Sequence, residues 1–138
     1  MLVIMTKMMH IIVRGNTKMK IIVTACGSEA NAKIDERFGR AAYFMLYDQE
    51  TQTWKSFNNK QNLDTAKGAG IQAAQNVQEL DADILITGNV GPKAFRVLEA
   101  AGIQIFSARN TTVEKALQDY LGKNLLQLKS ASREGHWI

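Results

Sequence analysis

The stretch Ile84-Leu85-Ile86-Thr87-Gly88-Asn89-Val90-Gly91-Pro92-Lys93-Ala94-Phe95 joins a strand to a helix. Its first four residues are β-branched or aliphatic, the composition of a short buried strand. Pro92 suits a first helical position, where its missing N–H has no partner to lose and its φ is already helical. Gly91 is then the cap. Gly88 either takes a positive φ or lets another atom come close. The backbone turns tightly as it leaves the strand, and N–H groups point outward at the positive end of a helix dipole. Such an end suits an anion. The same glycines are what a plain strand-to-helix turn needs for geometry alone, so this stretch locates a turn without choosing its role.

Downstream, the helix opened by Pro92 is predicted to end at Ala101. Gly102 supplies a left-handed residue after it, and Ile103 the apolar contact that goes with one. Residues 103–106 read as a strand and 107–110 as a loop. Thr111-Thr112-Val113-Glu114 predicts a capping box, with Thr111 as cap and Glu114 at the third helical position. Val113, Ala116, Leu117, Tyr120 and Leu121 form the apolar stripe of that helix, and Gly122 stops it. Upstream, Ala66, Ala69, Ala73, Val77 and Leu80 recur at three- and four-residue steps and predict a helix over 66–80. Its alanines and Gly70 predict close packing.

The first half of the chain is β-rich. Residues 21–25 form a continuous apolar run, expected of a central strand covered on both faces. Cys26-Gly27-Ser28 ends it. Residues 29–42 have no period, with Ile34 and Phe38 as anchors into the core. Tyr43–Asp48 and residues 53–57 are strands joined by a polar turn. They form an antiparallel hairpin whose second strand is half exposed and at an edge. Residues 1–18 contain two apolar runs broken by Lys7, Arg14 and Lys18, too interrupted for a signal peptide. Met19-Lys20-Ile21-Ile22-Val23 looks like a fresh start. The expected organisation is an N-terminal extension over 1–18, a domain over 19–121, and a mildly basic tail over 122–138. In the tail Leu125, Leu126 and Leu128 dock on the body. The order β-β-β-α-β-α-β-α predicts an α/β fold: a mixed five-stranded sheet with helices on both faces.

Composition narrows the function classes. The 138 residues suit one domain. A net charge of +4 selects neither nucleic acid nor an anionic ligand. One cysteine permits no internal disulfide and fits a reducing cytoplasm. Cys26, His10 and His136 are too few and too scattered for a usual zinc site. No apolar run approaches the roughly 18 residues of a membrane helix.

Topology then locates a candidate site. Ligands of open α/β sheets bind outside the carboxyl ends of the parallel strands. The first, fourth and fifth strands share a direction, so Cys26-Gly27-Ser28, residues 88–92 and residues 107–110 should gather at one rim. The second strand runs the other way, so its entrance, Arg37-Phe38-Gly39-Arg40, joins them. The rim offers a thiol, arginines, hydroxyls, amides and a helix N-terminus. It lacks the paired groups of acid–base catalysis.

Met19-Lys20-Ile21-Ile22-Val23, Arg37-Phe38-Gly39-Arg40-Ala41-Ala42-Tyr43-Phe44, Gly68-Ala69-Gly70-Ile71-Gln72-Ala73-Ala74, Thr87-Gly88-Asn89-Val90-Gly91-Pro92-Lys93-Ala94-Phe95 and Ala101-Gly102-Ile103 follow in one order. Together they resemble the dinitrogenase iron-molybdenum cofactor biosynthesis family, which includes small carriers of nitrogenase cofactor assembly. The resemblance runs from about Met19 to Leu121. It implies a ribonuclease-H-like fold. It also implies non-enzymatic binding of an anionic metal–sulfur cluster, molybdenum- or iron-containing, or of its precursor, with cofactor-assembly proteins as partners. The converging loops and the family pattern together give Cys26, Arg37, Phe38, Gly39, Arg40, Gly88, Asn89, Gly91 and Pro92 as candidate binding residues, with Cys26, the only thiol at the rim, as the candidate metal ligand. Family members often carry His where Arg37 stands. Arginine does not ligate a metal but donates several hydrogen bonds to an anion. Cys26 read plainly is a small hydrophobe at a strand end; as a thiolate it ligates soft metals.

Two other classes compete. A two-metal nuclease needs clustered carboxylates, and neither residues 21–25 nor Ile84–Thr87 carry an acid. A small-anion or nucleotide sensor, or a partner-binding module, would use the Gly88–Pro92 turn, but the chain has no Walker sequence and no dinucleotide fingerprint.

Overall fold

The computed structural model describes residues 18–59 and 68–131. The expected N-terminal extension therefore falls outside the described residues except for Lys18, as do the connection over 60–67 and the last seven residues. No helix among the described residues is long and apolar enough to cross a membrane.

Strand β1 (Lys20–Ala25) pairs antiparallel with β2 (Tyr43–Asp48) and parallel with β4 (Ile84–Thr87). β2 also pairs antiparallel with β3 (Thr53–Asn58), and β4 pairs parallel with β5 (Gln104–Ser107). β6 (Leu126–Gln127) adds antiparallel to β5, so the sheet order is β3-β2-β1-β4-β5-β6. The apolar runs over residues 21–23 and 84–86 follow from this placement. Both strands are flanked at both edges, and Ile21, Ile22, Val23, Ile84, Leu85 and Ile86 are all buried. β3 sits at the expected edge, where Trp54 leans on Tyr47 and Lys55 stays in solvent.

Helices cover both faces. Helices α1 (Ala69–Glu79) and α2 (Pro92–Ala100) pack over Ile22, Phe44, Leu85 and Ile105. Helix α3 (Val113–Leu121) packs over Ile21, Val23, Met45, Ile84 and Ile86. The alternation of side chains along each strand feeds the two cores. The small residues of α1 permit a close approach. A Cβ on Gly70 would lie 3.3 Å from that of Ala94 in α2, and one on Gly39 would lie 2.9 Å from the Gly70 backbone.

Five expectations need correction. The sheet has six strands, not five, because Lys123 takes a φ of 62° and turns the chain back along β5. Part of the expected tail is thereby built into the fold. Leu125 and Leu128 pack against opposite cores, whereas Leu126 is 74% exposed and does not dock. Helix α1 begins at Ala69, because Gly68 adopts a φ of 76° and cannot be helical; Ala66 and Lys67 lie outside the described residues. Ile103 is not in β5. With Gly102 at a φ of 79°, the Gly102 N–H donates to Glu99 O and the Ile103 N–H to Leu98 O, a Schellman end to α2. Finally, Thr112 rather than Thr111 caps α3, its hydroxyl accepting from the Lys115 N–H. The physical reason is tertiary. The 26–34 loop lies across the helix start, and its Ala32 and Ala30 carbonyls accept from the Val113 and Glu114 N–H groups.

Candidate functional site

The parallel strands β1, β4 and β5 end together, and hydrogen bonds knit their loops into one rim. The Cys26 N–H donates to Lys33 O, and Asp35 N–H to Thr24 O, folding the long loop back on the end of β1. The next residues meet the turn after β4. The Phe38 N–H donates to Asn89 O and the Asn89 N–H to Glu36 O at 2.7 Å, so Arg37 bridges Asn89 in parallel. Below them the Thr24 hydroxyl donates to Asp35 O at 2.5 Å and lies 2.7 Å from the Thr87 hydroxyl. Having one proton to give, Thr24 receives that of Thr87. Both threonines are fully buried, so the pair ties the loop to the ends of two strands without an orphaned polar atom.

The acids of this loop act as braces. Asp35 is 4% exposed, and its carboxylate accepts from the Arg37 N–H, Arg37 Nε and Nη2, and the Ala42 N–H, at 3.1–3.3 Å. The Arg37 guanidinium remains 68% exposed, and this pairing raises its already high pKa further. Glu36 accepts from the Arg109 guanidinium and from the Asn110 N–H. Arg109 also donates to Gly88 O at 3.3 Å and to Asn89 Oδ1. Gly88 is needed for proximity and not for a positive φ: a Cβ there would lie 2.5 Å from that of Glu36.

Beside this knot a cavity of about 290 Å³ opens between the starts of α1 and α2. Phe38, Gly39, Gly68, Gly70, Ile71, Gly91, Pro92, Lys93 and Ala94 line it. Both helices begin at a glycine with no side-chain cap, and neither has an acid in its first turn. The first N–H groups of a helix have no partner within it. Two such ends therefore face one cavity whose walls are mostly apolar, with Lys93 as the one cation in the lining among the described residues. The contrast with α3 is informative, since its start carries a threonine cap, Glu114 and two loop carbonyls.

Of the residues expected at the site, Phe38, Gly39, Gly91 and Pro92 line this cavity. Arg37, Gly88 and Asn89 belong to the adjoining knot and do not line it. Arg40 is half-buried in the same loop, outside the lining and not without partners. Cys26 is exposed, its thiol 3.7 Å from Ile34 O, and it lies within electrostatic reach of Arg37 and Asp35 rather than in the cavity. Among the described residues no three His, Cys, Asp or Glu side chains come together as a metal group.

Sequence reasoning missed Asp35, Glu36 and Arg109 as organisers of the rim, and Gly68, Gly70 and Lys93 as lining. The signal for Lys93 and Gly70 was present in the small and basic residues beside the helix starts. Nothing local marks Arg109 as the partner of an acid 73 residues earlier.

Partial desolvation pushes the Cys26 thiol up from its ordinary value although the residue is exposed. Asp35 adds to the rise, while Arg37 and Lys33 draw it back. The shift favours the thiol over the thiolate, so a metal would have to displace its proton. Alkylation of Cys26 by iodoacetamide, followed by mass spectrometry against pH, is expected to reach its midpoint above that of free cysteine. Arg37→Gln removes a cation that favours the thiolate, so it should move the midpoint higher still. An unchanged or lower midpoint would contradict this electrostatic picture.

Comparison with known proteins follows the same outline. The family model described as dinitrogenase iron-molybdenum cofactor matches residues 19–123. The apo form of the orange protein from Desulfovibrio gigas is 37% identical. It superposes with a TM-score of 0.81, over 84% of this chain and 98% of that one. A NifB-like protein from Thermotoga is 29% identical with a TM-score of 0.75, over 85% and 99% of the two chains. An uncharacterised protein of Methanocaldococcus jannaschii is 28% identical over 109 residues, 75% of this chain and 89% of the relative.

Proposed function

The chain belongs to the dinitrogenase iron-molybdenum cofactor family, and from that premise we propose that it is a non-enzymatic binding and carrier protein for an anionic metal–sulfur cluster or its precursor. The observation that carries the reading is the pair of uncapped helix starts facing one cavity at the carboxyl ends of the parallel strands. Two dipole ends attract negative charge. The apolar walls provided by Phe38, Ile71, Pro92 and Ala94 favour a large, weakly hydrated anion over a small, strongly hydrated one. A sulfide-surfaced cluster fits that description. As cargo it would meet the N–H groups of the two helices and Lys93, with the Arg37 and Arg40 loop at the rim. Among the described residues Cys26 is the one soft ligand the rim can add, as a secondary anchor that requires loss of its proton. Residues 19–121 are the domain that carries this function, with the ribonuclease-H-like architecture extended at one edge by β6. Cytoplasmic cofactor-assembly proteins are the partners.

Gly91→Asp tests the reading cleanly. Gly91 has a φ of −70°, open to any residue, and a Cβ there meets nothing within 4 Å. The new carboxylate would cap α2 and occupy the N–H groups an anion needs. Calorimetry at low salt with tetrathiomolybdate, molybdate, phosphate and ADP is expected to show tetrathiomolybdate bound most tightly. The variant should lose about tenfold or more of that affinity with no fall in melting temperature. Cys26→Ser in the same titration separates ligation from ion recognition. Equal or tighter binding of phosphate or ADP would replace the carrier reading with that of a small-anion sensor.

A further inference from the structure

Arg37, an exposed arginine of the rim, already has a counterion. Asp35 takes Nε and Nη2 of Arg37 on its two oxygens, each at 3.2 Å, and also the Arg37 N–H, so the guanidinium is held at both ends of its own residue. The carboxylate is almost wholly buried while its cation is two-thirds exposed. An exposed guanidinium is free to exchange partners, whereas the buried acid is not: the Ala42 N–H and the loop backbone hold it in place. The acid's charge stays at the rim whichever way Arg37 points. We propose that Asp35 sets how tightly this rim holds an anion, by occupying donors of Arg37 and by cancelling its charge. The inference rests on the anion-carrier reading above and deepens it. Arg37 is a latent ligand, released from Asp35 when cargo strong enough to compete arrives, and returned to it when the cargo leaves. A carrier that must give up its cargo gains from such a competitor, because affinity is lowered without loss of the binding geometry.

Asp35→Asn keeps the size and one acceptor of the side chain and removes the charge. Tetrathiomolybdate is expected to bind Asp35→Asn about fivefold or more tighter than wild type, although the variant melts lower for want of a full acceptor set around Arg37 and Ala42. Arg37→Gln should bind more weakly than wild type, and the gain should vanish in the double variant. A purely structural role for Asp35 predicts the opposite sign, weaker binding. Unchanged or weaker binding by Asp35→Asn, or a gain that survives without Arg37, overturns the proposal. Should Asp35→Asn fail to fold, Arg37→Lys decides. Lysine keeps the charge but cannot bridge both carboxylate oxygens, so binding within about twofold of wild type or better is expected, and a tenfold loss overturns. If wild type binds no tetrathiomolybdate, the carrier reading fails. The masking of Arg37 is then read from phenylglyoxal modification mapped to that residue. Faster modification in Asp35→Asn sustains it, and an equal rate overturns it.

Discussion

Phe38→Ala is expected to cost about 3–5 kcal/mol of stability, the range for removing a buried aromatic side chain. Phe38 is 2% exposed and stacks on Phe44 with ring centroids 6.0 Å apart and planes within 19°. It belongs to the core formed by α1, α2 and the sheet, with Ala73, Val90 and Ala94 in the same cluster. The site has little means to collapse after truncation. Its neighbours include Gly39 and Gly70, which have no side chains to move inward and whose backbones already touch. The void would open into the cavity between the helix starts, so the floor of the proposed site would go with it. Urea denaturation measures the first effect and tetrathiomolybdate titration the second, with Phe38→Leu as the volume-sparing control, expected to lose less than about 1.5 kcal/mol. A loss below about 1 kcal/mol for Phe38→Ala would mean that the ring is not part of the core. Against a typical total of about 5–15 kcal/mol, the expected value is enough to unfold a marginal domain.

Much of this architecture is readable from single residues because the physics is local. Residues 21–25 and 84–87 show as strands since burial on both faces leaves them apolar except for Thr24 and Thr87, which bond to each other. Pro92 and Gly102 mark the two ends of α2 because each does something other residues do poorly there, starting a helix without an N–H and adopting a positive φ. The rim was also legible, because direction alone sends the ends of β1, β4 and β5 to one edge. What escaped is non-local. β6 is two residues long and pairs through a turn at Lys123, a residue with no strong preference for positive φ. The cap of α3 shifted by one because Ala30 and Ala32, far from the helix in sequence, already satisfy its first N–H groups. Arg109 and Glu36 find each other only in three dimensions. Asp35 lay in plain view two residues from Arg37, but its burial depends on how the whole loop folds beneath the rim.

Gly88→Ala is expected to cost about 3 kcal/mol, at the upper end for overpacking, and to weaken anion binding with it. A Cβ on Gly88 would sit 2.5 Å from Glu36 Cβ, 2.7 Å from Glu36 O and 2.8 Å from Glu36 Cα. Two of these contacts are with backbone, and that backbone is fixed. Glu36 O accepts the Asn89 N–H at 2.7 Å, and the Glu36 carboxylate is held by Arg109 and the Asn110 N–H. The added methyl must therefore push the 35–38 loop away from the turn after β4, breaking the paired hydrogen bonds between Asn89 and the flanks of Arg37. Since those bonds carry Phe38 to the cavity wall and the same turn leads into Gly91, the helix start would move with them. Gly91→Ala, three residues on in the same turn, is the natural contrast. It meets open space at an ordinary φ, and the poorer capping by alanine offsets its lower unfolded-state entropy, so stability should change by no more than about 1 kcal/mol. Urea unfolding of the two variants side by side distinguishes a glycine kept for contact from one kept for the free N–H groups beyond it. Equal stability of the two variants would mean that the loop and the turn are not locked together.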